Sequence, residues 1–518
     1  MMEYLFKKAR EHPGLIISTA VVFTGLCIFF INIHPIIPYD GDDWLYLGLF
    51  RYAIPMSRYW DAARVFQDIL IPVSGMISAF IVYPFTGDYL FSFAITTAFV
   101  ISVFASALYI SLYQLLVSVI NNRKIAVFGC LMMGIFYFGF FKTKYESFYM
   151  LHALNYNCVY CYIIPGLLNS ILVCKLLCLQ VKGVIITPAN LGSFKFGVLL
   201  VLVYLAIFSM LFGALILAAY CTFYAVLSII KDRKLILRKN LFHLAVIGLF
   251  VIFCLFEITS ERAGYDTINT FELNASTGYF ERILIAVKSS FTLFRQIDII
   301  LFVFSVLSLA AATILLVIKY KKERDSRVAE LLLMSLFMTF GIYGVIVIVS
   351  AKAGAEFYPQ LLQVMHGVFF SYLLSAILSI AYFFYSFEKI RILALFFLVL
   401  FTNELFNGDN RYADQMSYHW VEGQLPTSKK MKLTNEMIGI MRDADRENKT
   451  EITLYVPKYP NTDDFPHPRS YWGGAFSKTL FVHRVTSRYI KVNLEYADGI
   501  LPPNSFWVDN NQKDLGSE

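Results

Sequence analysis

The sequence contains few charged residues. Asp, Glu, Lys and Arg together make up 16% of the 518 residues, whereas hydrophobic residues make up 58% and the mean hydropathy is +0.61. Soluble domains carry about 25% charged residues. The low charge therefore excludes a water-soluble protein over most of the length.

Several chemical signatures are also missing. The chain has no glycine-rich phosphate loop, no internal repeat and no nucleic-acid-binding motif, so no nucleic-acid partner is predicted. All eight cysteines lie in apolar runs, and no extracellular disulfide framework is predicted. Cys158 and Cys161 have metal or redox spacing. Because no His or carboxylate accompanies them, we interpret this pair as packing residues.

Long apolar runs dominate the first 405 residues. About 20 apolar residues cross the hydrocarbon core as a helix, and about eleven such runs are predicted to do so. Phe196 to Ile230 is too long for one helix and is predicted to form a hairpin near Phe212-Gly213. The predicted spans are Leu15 to Ile33, Tyr89 to Ser118, Ile125 to Phe141, Cys158 to Leu179, Phe196 to Phe212, Gly213 to Ile230, Leu241 to Ile258, Ile297 to Ile318, Ala329 to Ser350, Leu361 to Tyr385 and Ile392 to Leu405.

The basic residues predict the orientation, because cytoplasmic loops carry an excess of Lys and Arg. Ile69 to Phe85 is apolar but short and contains Pro72, Gly75 and Pro84, so we predict that it lies along the membrane surface. The N-terminus and every strong basic cluster then fall on the cytoplasmic side, and the C-terminal part falls outside. The clusters are Lys7-Lys8, Arg123-Lys124, Lys231 to Lys239, Lys319 to Arg327, and Lys389 with Arg391.

The composition changes after residue 405. Residues 1–405 are predicted to form a transmembrane helix bundle with a long first external loop, residues 34–88. Residues 406–518 are polar, contain no run long enough to span, and are predicted to form a small soluble α/β domain that can bury its own core. Its predicted elements are a helix from Thr427 to Glu447, a strand from Glu451 to Val456, a helix from Ala475 to Val485 and a strand from Tyr489 to Leu494.

The first external loop begins with an acidic segment, Asp40-Gly41-Asp42-Asp43-Trp44. Three carboxylates within four residues at the membrane surface are typical of a site that needs a base or holds a cation. The alternative is structural, since Asp42 or Asp43 can cap a short helix beginning at Trp44. The pattern leaves both interpretations open.

Basic residues in the external loops are candidates for binding a phosphate. Arg64 lies in the first loop, and an arginine fork near the interface suits a lipid phosphate. The alternative is an ion pair with Asp61 or Asp68. Later external loops contain Arg295, Lys352 and Glu356, which can join a polar vestibule or remain ordinary solvated residues.

This arrangement resembles the GT-C class of membrane glycosyltransferases, and within it the Gtr-type glucosyltransferases of bacterial serotype conversion. The residues that carry the resemblance are Asp42-Asp43 after the first span and the segment Trp60-Asp61-Ala62-Ala63-Arg64. The second stretch often reads Trp-Asn-Pro-x-Arg in that family. This chain keeps Trp60 and Arg64 and has Asp-Ala in place of Asn-Pro.

The resemblance implies transfer of a sugar, expected to be glucose, from a polyprenyl-phosphate donor to a lipid-linked O-antigen or similar glycan. The reaction would occur at the periplasmic face of a bacterial inner membrane. Asp42 or Asp43 would act as the base, and a cation would stabilise the leaving phosphate. The candidates for the phosphate are Arg64, Arg295 and Lys352, and further substrate contacts are Asp40, Trp44, Trp60 and Glu356. No cofactor is predicted, and a divalent metal stays an open alternative.

Three other functions compete with this hypothesis. A flippase or transporter of lipid-linked sugar would need paired charges or broken helices at the midplane. An O-antigen polymerase would more typically have basic catalytic residues in large loops late in the chain. A membrane acyltransferase would need a histidine base, for which His366 is the only plausible candidate.

Overall fold

The computed structural model describes residues 13–48, 64–141, 149–153, 155–259, 278–319, 323–407, 427–457 and 469–497. These residues are mainly helical. In chain order the elements are α1 (Pro13–Ile33), α2 (Gly41–Leu47), α3 (Val65–Thr86), α4 (Tyr89–Ile120), α5 (Arg123–Gly139), α6 (Tyr156–Val181), α7 (Ser193–Ile207), α8 (Leu211–Asp232), α9 (Leu237–Thr259), α10 (Tyr279–Phe294), α11 (Ile299–Lys319), α12 (Glu323–Lys352), α13 (Leu362–Ser386), α14 (Ile392–Asn407), α15 (Thr427–Arg446), β1 (Glu451–Pro457), α16 (Arg469–Val482) and β2 (Lys491–Ala497).

Nine helices in the described ranges are long and apolar enough to cross a membrane, which indicates a multi-pass membrane protein. They are α1, α3, α4, α6, α8, α9, α11, α12 and α13, and all but α3 coincide with predicted spans. The other three predicted spans form shorter helices, since α5, α7 and α14 contain 17, 15 and 16 residues. A full crossing needs about 20 residues.

Helix α3 contains the segment from Ile69 to Phe85, and its predicted position along the membrane surface stays a prediction. The segment belongs to one continuous helix that packs antiparallel to α4. The Phe66 and Phe104 rings are 6.2 Å apart near one end, and the Tyr83 and Tyr89 rings are 5.7 Å apart near the other. Pro84 lies in the last turn of this helix, directly after a π-helical stretch from Ser78 to Val82.

Helix α4 is unusually long, at 32 residues. The Asp88 carboxylate caps its start by accepting from the Phe91 N–H at 3.0 Å, and Asn121 ends it in the left-handed conformation, with φ of 55°. At 1.5 Å per residue the helix is about 48 Å long. It runs parallel to α6, with the Phe93 ring 5.8 Å from that of Tyr156.

The predicted hairpin within Phe196 to Ile230 is present, with its turn slightly earlier than expected. Helix α7 ends at Ile207 and α8 begins at Leu211. The Ser209 hydroxyl in the turn donates to the Ala206 carbonyl at 2.7 Å. A local side-chain bond of this kind competes with helix continuation and favours the break at Ser209 over Phe212-Gly213.

The C-terminal elements follow the predicted order of helix, strand, helix and strand. Strands β1 and β2 pair in parallel, with Leu454 opposite Leu494, and α16 forms the crossover. Gly473 allows α16 to approach the sheet closely, because a Cβ there would lie 2.5 Å from the Val492 carbonyl oxygen. The buried face of α16, including Phe476, then packs against the end of the bundle that carries α2.

Candidate functional site

The acidic segment folds into the start of α2 as a capping box. Asp40 is the N-cap residue, and its carboxylate accepts from the Asp42 N–H at 3.4 Å. The Asp43 carboxylate reaches back and accepts from the N–H groups of Tyr39 at 3.0 Å and Asp40 at 3.1 Å. This reciprocal arrangement satisfies backbone donors that a helix start otherwise leaves open.

Asp43 is completely buried, and both of its oxygens have partners. Its second oxygen accepts from the Asn157 N–H at 2.7 Å, which ties α2 to the start of α6. Burial and the neighbouring Asp40 raise the pKa of the Asp43 carboxyl, while the three backbone N–H groups oppose the shift. Asp43 therefore fulfils the structural role that the sequence left open.

Asp42 has a different environment. It is partly exposed, and its carboxylate accepts from the Tyr471 hydroxyl of α16 at 2.5 Å. Tyr471 remains 38% exposed. Burial and the hydrogen bond to Asp42 raise the pKa of this hydroxyl, which keeps it a donor at neutral pH. Of the two adjacent carboxylates, Asp42 is thus the one that a substrate can reach.

Lys430 of α15 adds a positive charge that sequence reasoning missed. Its side chain is only 8% exposed, and its Nζ lies 3.9 Å from the centre of the Tyr39 ring. Burial lowers the pKa of Lys430 to about 8, and the negative charges of Asp40 and Asp43 oppose that shift. The ammonium group therefore belongs to the same electrostatic cluster as the acidic segment.

Helix α16 covers α2 and fixes its position. The Trp472 Nε1 donates to the Tyr39 carbonyl at 3.0 Å, and the Thr479 hydroxyl donates to the Trp44 carbonyl at 2.5 Å. The Phe476 ring stacks on Trp472 at 4.5 Å and meets Trp44 edge-on at 4.9 Å. Trp44, a predicted substrate contact, is fully buried and serves here as a packing residue.

The structure brings Arg64 to the same cluster. Its guanidinium donates to the Tyr46 hydroxyl at 3.0 Å and to the Cys161 sulfur at 3.3 Å. Tyr46 lies one turn after Asp42 and Asp43 on α2, so Arg64 lies beside the acidic helix. The Arg64 side chain is 5% exposed, and its guanidinium carbon lies 5.2 Å from the centre of the Tyr46 ring.

The remaining candidates lie elsewhere. Arg295 and Lys352, at the ends of α10 and α12, are exposed, and Glu356 forms an ion pair with Arg282 at 3.5 Å. Within the described ranges, no hydrogen bond or ion pair joins Arg295, Lys352 or Glu356 to the acidic segment. Trp60 falls outside the described residues.

Two buried histidines meet, His34 directly after α1 and His152 in the segment before α6. The His34 ring stacks on the His152 ring, with centres 6.1 Å apart, and its Nδ1 bonds to the Tyr149 hydroxyl. Burial and, to a smaller extent, the charge of Lys430 lower the pKa of His34 to about 4. His34 is therefore neutral at physiological pH. No local pattern marks these residues, because their association depends on the packing of separate loops.

No protein-family model, curated protein or solved structure matches this chain significantly. In the part of the chain that the structure describes, no group of three or more His, Cys, Asp or Glu side chains could hold a metal ion. The function must therefore be inferred from the residues and from their geometry. The central observation is a reachable carboxylate, Asp42, in a cluster that also contains Arg64 and Lys430.

Proposed function

We propose that the protein is a membrane glycosyltransferase of the GT-C type. It transfers a sugar, expected to be glucose, from a polyprenyl-phosphate donor to a surface glycan such as lipid-linked O-antigen. The observation that carries the proposal is the partly exposed Asp42 on α2, a segment whose Tyr46 contacts Arg64 and whose Asp40 and Asp43 interact with the charge of Lys430. The proposed location is the periplasmic face of a bacterial inner membrane, with a cytoplasmic N-terminus.

Each group has a defined part in the proposed reaction. The Asp42 carboxylate takes the proton of the acceptor hydroxyl as that oxygen forms a bond to the anomeric carbon. The bond between the anomeric carbon and the phosphate oxygen breaks, and the phosphate leaves with the electron pair. Its growing negative charge is stabilised by Arg64, which offers a planar fork of donors, and by the nearby Lys430.

The environments of the two neighbouring aspartates narrow the choice of base. Asp43 accepts three backbone N–H bonds and is fully buried, so it has no free oxygen for a substrate. Asp42 is partly exposed and accepts from the side chain of Tyr471, which is itself 38% exposed. We therefore assign the base to Asp42 and the support of helix α2 to Asp43.

The test is mass spectrometry of surface polysaccharide from cells that express the protein or its variants. Cells with the parent protein should carry one added hexose per repeat, and Asp42→Asn should lower the transfer by about a hundredfold or more. Asp443→Asn is the matched control, because Asp443 lies on α15 with its side chain 68% exposed. Membrane insertion of each variant is checked by its yield and its elution in detergent.

Three results would contradict the proposal. Transfer by a correctly inserted Asp42→Asn variant at the parent rate would exclude Asp42 as the base. Unmodified repeats with an altered chain length would indicate an O-antigen polymerase. Loss of the surface polymer altogether would fit a flippase of lipid-linked sugar.

A further inference from the structure

Helix α10 has two faces of different character. The side chains on one face are buried against the bundle, namely Arg282, Ala286, Ser290 and Leu293. On the opposite face, counting the residue directly after the helix, the exposed side chains fall within about 80° of the helix circumference, since 3.6 residues complete one turn. We call this set the outer face of α10, and it consists of Phe280, Leu284, Lys288, Phe291 and Arg295.

The contacts of the buried face place α10 across the end of a spanning helix. The Arg282 guanidinium pairs with the Glu356 carboxylate at 3.5 Å, and the Ser289 hydroxyl donates to the Glu356 carbonyl at 2.5 Å. Glu356 follows the end of α12 at Lys352. Arg282 and Ser289 lie about 10 Å apart along α10 and yet contact the same residue, so α10 crosses the end of α12 instead of running alongside it.

The C-terminal end of α10 lies at the end of another helix. Just after α10, the Asp298 N–H donates to the Phe140 carbonyl at 2.8 Å, and Ile297 forms a backbone bridge with Phe141. Phe140 and Phe141 directly follow the end of α5 at Gly139. With 16 residues, α10 is about 24 Å long, too short to cross a hydrocarbon core about 30 Å thick. Its position at the ends of α12 and α5 is that of a helix lying at the membrane surface.

The outer face combines apolar and cationic side chains. Phe280, Leu284 and Phe291 are 73%, 54% and 52% exposed. Lys288 and Arg295 are also exposed and border these apolar residues on one side. Long basic side chains at a lipid interface extend their charged ends toward the phosphates while their carbon chains cover apolar surface. Helices with this combination lie in the boundary between lipid head groups and acyl chains.

The outer face also continues into a surface that contacts lipid. Helix α11 begins at Ile299 and is long and apolar enough to cross the membrane. Its first two residues, Ile299 and Ile300, are 67% and 52% exposed. Apolar side chains on the outside of a spanning helix face the hydrocarbon core. Since Arg295 is only four positions before Ile299, the outer face of α10 lies next to the same bilayer.

We propose that the outer face of α10 binds the surface of an anionic phospholipid bilayer. Phe280, Leu284 and Phe291 insert at the level of the first acyl carbons, and Lys288 and Arg295 contact lipid phosphates. This inference does not depend on sugar transfer. It assigns Arg295 to the phosphates of the bilayer, away from the acidic segment.

The test is photocrosslinking of the full-length protein in nanodiscs made of equal parts of dioleoyl phosphatidylglycerol and dioleoyl phosphatidylcholine. The photoreactive amino acid p-benzoylphenylalanine replaces Phe280 in one variant and Phe291 in a second. In the control it replaces Tyr455 of β1, which is 51% exposed in the part of the chain predicted to be soluble. Mass spectrometry should find lipid attached at positions 280 and 291 with a yield about tenfold or more above the control, because an interfacial helix buries its apolar face among acyl chains.

A second measurement tests the two cations. In the variant that crosslinks from position 291, the further change Lys288→Gln/Arg295→Gln should lower the ratio of phosphatidylglycerol to phosphatidylcholine adducts by about fivefold, because basic residues near the surface attract anionic lipid. Lys478→Gln is the control. It removes an exposed charge from α16 and should leave the ratio unchanged.

Three results would overturn the proposal. Equal lipid yields at positions 280, 291 and 455 would place the outer face in water. Crosslinks to a second protein chain in place of lipid would assign this face to a protein partner. An unchanged ratio of adducts in Lys288→Gln/Arg295→Gln would show that the two cations do not bind lipid phosphates, which the proposal requires.

Discussion

The charged side chains at the two ends of the bundle differ in how deeply they are buried. At the acidic end, Asp43 is fully buried and Lys430 is 8% exposed, and bonds join elements that are distant in the sequence. At the basic end, where α8 ends and α9 begins, Lys231 and Lys239 form ion pairs that stay partly exposed. Buried polar groups cost free energy when a partner is removed, whereas exposed pairs contribute little. The acidic end should therefore be sensitive to substitution and the basic end tolerant.

The largest expected effect is loss of the cover over α2. Trp472 is fully buried, stacks on Phe476 and donates to the Tyr39 carbonyl. Trp472→Ala should lower the free energy of unfolding by about 3–5 kcal/mol, as measured by denaturant titration in detergent. Tyr489→Ala is the control, since that ring is 48% exposed. Equal losses in the two variants would show that α16 does not hold the site together.

A smaller loss should follow from breaking the capping box. Asp43→Asn replaces one of two carboxylate oxygens that accept from backbone N–H groups with an NH2 group that cannot accept, at a fully buried position. We expect it to lower the free energy of unfolding by about 1–3 kcal/mol. Asp42→Asn should change it by about 0.5 kcal/mol or less, because Asp42 is partly exposed. A larger loss for Asp42→Asn would reverse the assignment of the two roles.

A pH dependence distinguishes the buried cation of the acidic end. Lys430 has a pKa of about 8 in the folded protein, below the ordinary value of about 10.4. Its charge is therefore lost as the pH rises through about 8, and the rate of sugar transfer should fall there. Lys430→Arg, which stays charged, should extend the active range upward. If the parent protein and Lys430→Arg have the same pH profile, Lys430 does not take part in the reaction.

The lowered pKa of Lys430 changes stability in the opposite direction from activity as the pH rises. Between about pH 8 and 10.4 the unfolded chain binds a proton at Lys430 that the folded chain has lost. The contribution of Lys430 to the free energy of unfolding therefore rises with pH across this window. Activity and stability should move in opposite directions, which separates loss of function from unfolding.

The smallest effect is expected at the basic end. Lys231→Gln removes a side chain that is 53% exposed and pairs with Glu330. The change in the free energy of unfolding should be about 1 kcal/mol or less. Lys449→Gln is the control, because Lys449 forms a comparably exposed pair with Glu447. A loss greater than that of Asp43→Asn would mean that the two ends do not differ in this way.

The sequence predicted the elements whose cause is local. The length of the apolar run between Tyr89 and Ser118 predicted α4, and the alternation from Glu451 to Val456 predicted β1. The position of α3 relative to the membrane stays a prediction, and its prolines and Gly75 do not interrupt the helix. Gly75 leaves room for the His483 ring, because a Cβ at position 75 would lie only 3.2 Å from that ring. Such close packing between distant segments has no local signature.

The candidate site was also predictable only in part, because some of its residues come from distant segments. Asp42 and Arg64 stood out by residue type and by their position after the first span, and the structure places them in one cluster. Tyr471 and Lys430 could not be identified in advance. Tyr471 is separated from Asp42 by 429 positions, and only the docking of the C-terminal elements brings it near. A single sequence contains no pattern that predicts this docking.

The length of α4 has a consequence for the reach of the site. The helix is about 48 Å long, whereas the hydrocarbon core is about 30 Å thick. Its first residue, Tyr89, bonds through its hydroxyl to His483 at 2.6 Å, so the excess length carries the C-terminal elements with it. The helix is therefore about 18 Å longer than the core is thick, and its start lies at the same end of the bundle as the acidic cluster. For the proposed sugar transfer, we expect this extra length to let a lipid-linked sugar meet Asp42 in water while its chain stays in the bilayer.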